Sequence, residues 1–403
     1  MEIELTQNEW AFVQEHLQYD ASNLALSMRR FPDLDAAKVL NQIAGYQSLC
    51  RKVPSWALVE ELLLPAKLPL EQCSSESTAL YKAQLMNRLE GVHCMADLTG
   101  GLGVDFSFMA RNCSKAYYLE RQESLCLYAS HNLKLLGLDS ATVLNEDGAA
   151  WVEKQVGAYD LLYLDPARRD QKGSKVAALS DCEPDLTVLR PMLLRKTRFL
   201  LVKLSPMLDI TLALKQLPET VEVHVVSVDG ECKELLFLLS SEVSVPEPRI
   251  FCVNLRSNKA VDVLDFTRSE ESGANVSYSR MPQGYLYEPN ASLLKAGAFS
   301  MLSERFGVDK LHVSSHLYTS ETLCLNFPGR SFSIESVFPA HSKSLKEQLI
   351  GVTKANVTVR NFPETVDRIR KKTGLKEGGD VYLFATTLFD ERKVFLRCFK
   401  IDK

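Results

Sequence analysis

The sequence predicts an α/β fold: a seven-stranded, mostly parallel sheet with an antiparallel last strand, preceded by a helical segment and followed by an α+β module. Three observations predict it. From residue 92 onward, short apolar runs alternate with helical patterns, the mark of parallel strands joined by crossover helices. The last two runs of that stretch are separated only by Asp229-Gly230-Glu231-Cys232, too short for a crossover helix, so they form an antiparallel hairpin. Residues 1–72 show apolar positions at helical spacing instead, as in Trp10, Phe12, Val13, Leu17 and again Val39, Leu40, Ile43, Ala44, Tyr46.

In chain order, Pro32-Asp33 and Pro54-Ser55 break the first segment into separate helices, with Trp10 and Trp56 as core residues. Ser77 and Thr78 are placed to cap a helix running to about Leu89. Strands are expected at 93–98, 116–120, 141–145, 161–165, 199–204, 221–228 and 233–239. Beyond Pro246 come two strand-like runs, RIFCVNL and AVDVLDF, then a polar loop over 269–283 and an amphipathic helix over 290–306. From 331 the order is strand (331–337), helix (343–349), strand (356–361), helix (364–373), strand (380–386), strand (393–399), which suggests a ferredoxin-like unit. Four domains are therefore expected: 1–74 helical, 75–245 the main sheet, 246–330 an α+β linker, and 331–403 a terminal module.

Composition narrows the function classes. With 403 residues, 46% hydrophobic and 24% charged, the chain is neither disordered nor collagen-like. Its ten cysteines include no C-x-x-C and no Cys/His cluster of zinc spacing, so no metal site is expected. The opening MEIELTQNEW has no apolar run and nothing approaches ~18 apolar residues, so neither a signal peptide nor a membrane span is expected. Scattered thiols without an export signal point to the cytoplasm. Net charge is −4, yet residues 341–403 carry 14 Lys+Arg against 8 Asp+Glu. A basic terminal piece on an acidic body suits a nucleic-acid-binding module, although an uneven solvated surface would look the same.

The first chemical signal is Met95-Ala96-Asp97-Leu98-Thr99-Gly100-Gly101-Leu102-Gly103-Val104-Asp105, which follows a predicted strand and opens a predicted helix. Glycines at Gly101 and Gly103 allow a sharp turn and close approach of a ligand to backbone. A dinucleotide loop would carry a third glycine where Phe106 stands, which weakens that reading. Glu120 ends the second strand, where a carboxylate can accept both ribose hydroxyls; Asp147, before Gly148, follows the third, where it can accept from an adenine amine. Singly each could be a solvated loop acid. Three acids at successive strand ends point to a nucleoside ligand at the C-terminal sheet edge.

The second signal is Leu164-Asp165-Pro166-Ala167-Arg168-Arg169-Asp170 at the end of the fourth strand. Asp165 and the Pro166 carbonyl could accept the protons of an amine whose lone pair must be aimed at an electrophile. Arg168 and Arg169 could stack on a base or grip phosphate, or could simply pair with Asp170 and Asp181. Residues 166–203 hold nine Lys+Arg against four acids, and Lys203 ends the fifth strand on the same edge. Lys203 and the run from Arg360 to Lys376 are thus candidate phosphate contacts.

The stretch 75–241 resembles the class I S-adenosylmethionine-dependent methyltransferases, a Rossmann-like fold with an antiparallel last strand. That resemblance implies that the loop DLTGGLG cradles the methionine moiety with Asp97 near its amino group, Glu120 on the ribose and Asp147 on the adenine. Thr99 replaces the first glycine of the family's D-x-G-x-G-x-G, and Ala167 and Arg168 replace the second proline and aromatic of the exocyclic-amine enzymes. DLTGGLGVD, YYLERQ and YLDPARR are similar to RNA guanine-N2 methyltransferases of ribosomal RNA and of trimethylguanosine caps. The strings YLYEPNAS (285–292) and ANVTVRNFP (355–363) resemble a bacterial methyltransferase group with a THUMP-like C-terminal domain. The expectation is an S-adenosylmethionine-dependent enzyme acting on rRNA or tRNA, at an exocyclic amine such as guanine N2. The alternatives are a non-catalytic RNA-binding factor that keeps the cofactor fold, and a protein or small-molecule methyltransferase.

Overall fold

A computed structural model describes residues 3–65, 67–168, 179–257, 260–340, 345 and 347–402. The chain divides into two compact units, Met1–Val223 with Glu234–Pro248, and His224–Lys233 with Arg249–Lys403.

The first unit opens with helices that the sequence caps explicitly. Thr6 and Glu9 form a capping box for Gln7–His16, and Asp35 accepts from two backbone N–H groups to start Ala36–Lys52. The helix Glu76–Arg88 is capped by Ser75 rather than by Ser77 or Thr78, because it is the Ser75 hydroxyl that meets the Thr78 N–H. The strands follow as β1 (Cys94–Asp97), β2 (Lys115–Leu119), β3 (Ala141–Leu144), β4 (Tyr159–Leu164), the two-residue β5 (Ala167–Arg168) and β6 (Cys182–Glu183), β7 (Thr197–Leu204), β8 (Thr220–Val228) and β9 (Glu231–Ser240). Seven of the nine strands of the main sheet run in the order β8-β9-β7-β4-β1-β2-β3, with β1, β2, β3, β4 and β7 parallel and β9 antiparallel to β7. Central strands are apolar throughout because helices cover both faces: Leu161, Leu162, Leu200, Val202, Leu236 and Phe237 are fully buried. The hairpin turn is tighter than the four residues of the sequence reading, since only Asp229 and Gly230, both at positive φ, separate β8 from β9.

In the second unit, β10 (Arg249–Leu255) and β11 (Val261–Phe266) pair antiparallel, matching the two strand-like runs. The polar stretch after them is not all loop: a capping box of Thr267 and Glu270 starts a helix at Arg268–Gly273. The single helix expected over 290–306 is two, Ala291–Ala296 and Ser300–Phe306, because Gly297 takes a left-handed conformation and ends the first. The remaining strands are β12 (Tyr285–Pro289), β13 (Asp309–Lys310), β14 (Tyr318–Ser320), β15 (Gly329–Pro339), β16 (Asn356–Arg360), β17 (Val381–Thr387) and β18 (Lys393–Ile401). They form one sheet in the order β13-β14-β12-β15-β18-β17-β16, which runs continuously across residue 330. The helix Val366–Thr373 makes the crossover between the parallel pair β16 and β17. Three of the seven positions of the helix expected at 343–349, Lys343, Ser344 and Lys346, lie outside the described residues. Core side chains lie in two groups, Leu286, Phe332, Phe384 and Leu396 in one and Phe338, Leu349, Leu383 and Phe395 in the other.

Candidate functional site

The C-terminal edge of the main sheet gathers nearly all of the residues singled out in the glycine loop and at the strand ends. After Asp97 the chain turns through Gly101 (φ +58°) and Gly103 (φ +84°) into the helix Val104–Met109. Gly100, which the sequence reading passed over, is the sterically obligatory glycine: a Cβ there would lie 2.3 Å from the Tyr118 ring. Above Gly101 the space is open, since a Cβ would meet only the Thr99 carbonyl oxygen at 3.8 Å. Glu120 buttresses the loop. One carboxylate oxygen accepts the Gly101 N–H at 2.9 Å and the other the Gln122 N–H at 2.8 Å. Asp147 is exposed and caps the helix Gly148–Lys154 by accepting the Ala150 N–H at 2.9 Å. Gly148 is a close-packing position, because a Cβ would stand 2.4 Å from the Leu98 carbonyl oxygen.

Thr99, in place of the family glycine, ties two strand ends together. Its hydroxyl accepts the Asp165 N–H at 2.7 Å, and its backbone N–H donates to Asp97 at 2.9 Å. Asp97 is 1% exposed, and among the described residues its only hydrogen-bond donors are the N–H and hydroxyl of Thr99. Burial, with repulsion from Asp105 and Asp165, pushes its carboxyl up to about 8. Asp97 is therefore a buried acid lacking a paired cation among the described residues, a place suited to a ligand ammonium.

Behind this edge lies a buried charge network that sequence reasoning missed. Lys82, fully buried, pairs with Glu234 at 2.6 Å and with Asp105 at 3.1 Å. Asp105 also accepts from Ser74 at 2.7 Å and Tyr163 at 2.8 Å. Burial would raise the Asp105 carboxyl, but Lys82 and Lys203 with the two hydroxyls hold it below the usual range. Glu234 goes the other way, raised by burial against the pull of Lys82 and Lys203. Lys203 reaches Asp165 at 2.5 Å, Ser74 at 3.2 Å and Asp105 at 3.7 Å. Burial would lower its ammonium, yet Asp165, Asp105 and Glu234 raise it, so it stays charged. A signal for Lys82 was available: it lies three residues from the apolar Ala79 and four from Met86, on the inward face of its helix. The helix Glu76–Arg88 and the residue before its cap supply Lys82 and Ser74 to the site, and the sequence reading gave neither a role.

One expected site residue falls elsewhere. Arg360 lies in the second unit, where it and Arg330 grip Glu288, which is 3% exposed. Pro166 is buried beside Asp165, and Arg168 pairs through its backbone with Cys182. Arg169 lies outside the described residues. Among the described residues no group of three or more His, Cys, Asp or Glu could hold a metal ion, and no helix is long and apolar enough to cross a membrane.

Residues 285–328 match a ferredoxin-like domain family and residues 329–400 a THUMP domain-like family. The THUMP-like match thus falls on the terminal module, and the ferredoxin-like match falls before it, within the segment expected as a linker at 246–330. A crystal structure of a methyltransferase candidate from Porphyromonas gingivalis W83 is 34% identical, covers 99% of this chain and 100% of its own, and superposes with a TM-score of 0.86. A T. thermophilus 16S rRNA N2 methyltransferase in complex with AdoMet and guanosine is 18% identical over 44% of this chain and 46% of its own, with a TM-score of 0.33. A methyltransferase candidate from Streptococcus mutans in complex with SAH is 13% identical over 44% of this chain and 99% of its own, with a TM-score of 0.31. No curated protein matches the sequence.

Proposed function

This chain belongs to the family of class I methyltransferase folds with a THUMP-like C-terminal domain, alongside the P. gingivalis protein, and from that premise we propose that it is an S-adenosylmethionine-dependent RNA methyltransferase. Its acceptor, in this reading, is an exocyclic base amine such as guanine N2 in rRNA or tRNA. The observation that carries the proposal is the placement of Asp165. Its own N–H is tied to Thr99 of the glycine loop, and Lys203 takes one carboxylate oxygen, Oδ2. Among the described residues no hydrogen bond reaches the other oxygen or the Pro166 carbonyl, and in this reading those two acceptors take the protons of an amine.

The loop fits the methyl donor. The open side of Gly101 gives room for close approach, and the buried Asp97 suits an α-ammonium group. Each Glu120 oxygen, after accepting one backbone N–H, keeps a lone pair for a ribose hydroxyl. Asp147, exposed at the helix start, would take the adenine amine. When bound, S-adenosylmethionine supplies a methyl group activated by its sulfonium. Asp165 fixes the direction of the amine lone pair and offsets the positive charge that develops on nitrogen as the N–C bond forms. The basic balance of residues 341–403 and the THUMP-like match support RNA as the acceptor.

The test is transfer of a labelled methyl group to total RNA from cells lacking the protein, followed by mass spectrometry of the nucleosides. Asp165→Ala should lower the single-turnover rate by on the order of 10²-fold and leave cofactor affinity nearly unchanged. Cofactor binding without transfer to any RNA would favour the non-catalytic RNA-binding reading, and a normal rate for Asp165→Ala would remove the case for an amine acceptor.

A further inference from the structure

The sequence placed Lys203 among phosphate contacts, and its surroundings argue against that. A lysine ammonium has three hydrogens to donate. Two of those of Lys203 go to Asp165 Oδ2 at 2.5 Å and Ser74 Oγ at 3.2 Å, and its charge also faces Asp105 Oδ2 at 3.7 Å, an ion-pair distance. Its side chain is only 15% exposed. The Ser74 hydroxyl is used just as fully, donating to Asp105 and accepting from both Lys82 and Lys203. Asp105 in turn receives Ser74, Tyr163, Lys82 and Lys203. Each group is held by the next, back to the Lys82–Glu234 pair in the interior.

We propose that Lys203 is a positioning residue for Asp165, anchored from behind by Ser74, Asp105 and Lys82. This rests on the reading of Asp165 given above. The carboxylate of Asp165 is 38% exposed and could rotate, and both of its oxygens could turn to water. Lys203 removes that freedom by binding one oxygen, so the other is presented in a fixed direction before any substrate arrives. Such pre-orientation lowers the cost of reaching the reactive geometry without adding to ground-state binding. The backbone supports the pairing independently of the side chains. Leu164 and Val202 are partners in the parallel β4–β7 ladder, so Asp165 and Lys203 leave adjacent strands side by side.

The experiment uses the full chain with Lys203→Ala and Lys203→Met. Total RNA from cells lacking the protein is the methyl acceptor. Single-turnover rate, RNA affinity and S-adenosylmethionine affinity are measured separately. Lys203→Ala should lose on the order of 10²-fold in rate, with both affinities within about twofold of wild type. Added propylamine, which returns an ammonium to the vacated space, should restore the rate saturably, whereas propanol should not. Weakened RNA binding at an unchanged rate would make Lys203 a phosphate contact and overturn the proposal. Parallel loss of cofactor affinity in both variants, with no amine rescue, would reduce it to a structural residue and overturn the proposal equally. If the wild type methylates no RNA, the functional reading fails on its own. The positioning claim is then decided by the carbon-13 carboxyl resonance of Asp165, assigned with Asp165→Asn. It should move in Lys203→Ala and return with propylamine; an unmoved resonance overturns the claim.

Discussion

Both units of this protein set carboxylates between two cations, and they do so under opposite conditions. In the first, Lys82 and Lys203 meet Asp105 and Glu234 with side-chain exposures of 0, 15, 10 and 4%. In the second, Glu288 is buried, but its partners Arg330 and Arg360 are 46 and 37% exposed. Water reaches one half of the second cluster and little of the first. Charges withdrawn from water interact strongly and are costly to leave unpaired, whereas exposed guanidiniums recover hydration when a partner is lost. The first cluster therefore behaves as one unit, and the second as a set of replaceable contacts.

The sharpest way to break that contrast is Lys82→Met. It strands Glu234 and Asp105, and urea denaturation should show a loss of about 3–5 kcal/mol. Adding Glu234→Gln should recover part of it, because the uncompensated charge goes with the carboxylate. A loss below about 1 kcal/mol would mean that water enters the cluster.

Asp97 gives a smaller effect with a defined sign. Its folded carboxyl lies at about 8, above the ordinary 3.8. Its contribution to stability is thus fully present below pH 4 and is lost as pH rises towards 8. Asp97→Asn cannot ionise, so it should gain on the wild type between pH 5 and pH 8, by on the order of 4 kcal/mol. Parallel stability curves for the two proteins over that range would show that Asp97 is already ionised when empty.

The smallest effect is expected in the second unit. Arg330→Ala leaves Arg360 on Glu288, and the cost should be about 1 kcal/mol or less, shrinking with added salt. A salt-independent loss of several kcal/mol would make the two clusters alike after all.

The two regions were also unequally legible. The strands of the main sheet and its closing hairpin were readable because both faces are covered and the strands are written as unbroken apolar runs. The glycine loop was readable because its constraint is local. The charge network was not, because Lys82 and Glu234 are 152 positions apart, and the helical spacing that turns Lys82 inward does not name its partner. Lys203 lay between these cases. Strand ends at Asp165 and Leu204 were in view, and pairing those two strands would have set Lys203 beside Asp165. Its charge was assigned to phosphate because register was not used. In the second unit, Gly297 was treated as part of one amphipathic helix, since periodicity alone does not register a left-handed residue.

The double layering of the second sheet restricts how a nucleic acid could be read there. Modules that recognise single-stranded RNA on a sheet offer bare aromatic rings as a platform for stacked bases. Here Phe332 and Phe384 are fully buried, and Tyr382 packs against their cluster. The rings that would form such a platform are already occupied by the protein's own interior. A polynucleotide would meet exposed polar side chains instead, and Arg330 and Arg360, half-exposed, could grip its phosphates only by giving up part of their hold on Glu288. Recognition of that kind measures the shape and spacing of a folded backbone and is indifferent to base identity, so selection of the nucleotide would fall to the distant geometry of the RNA.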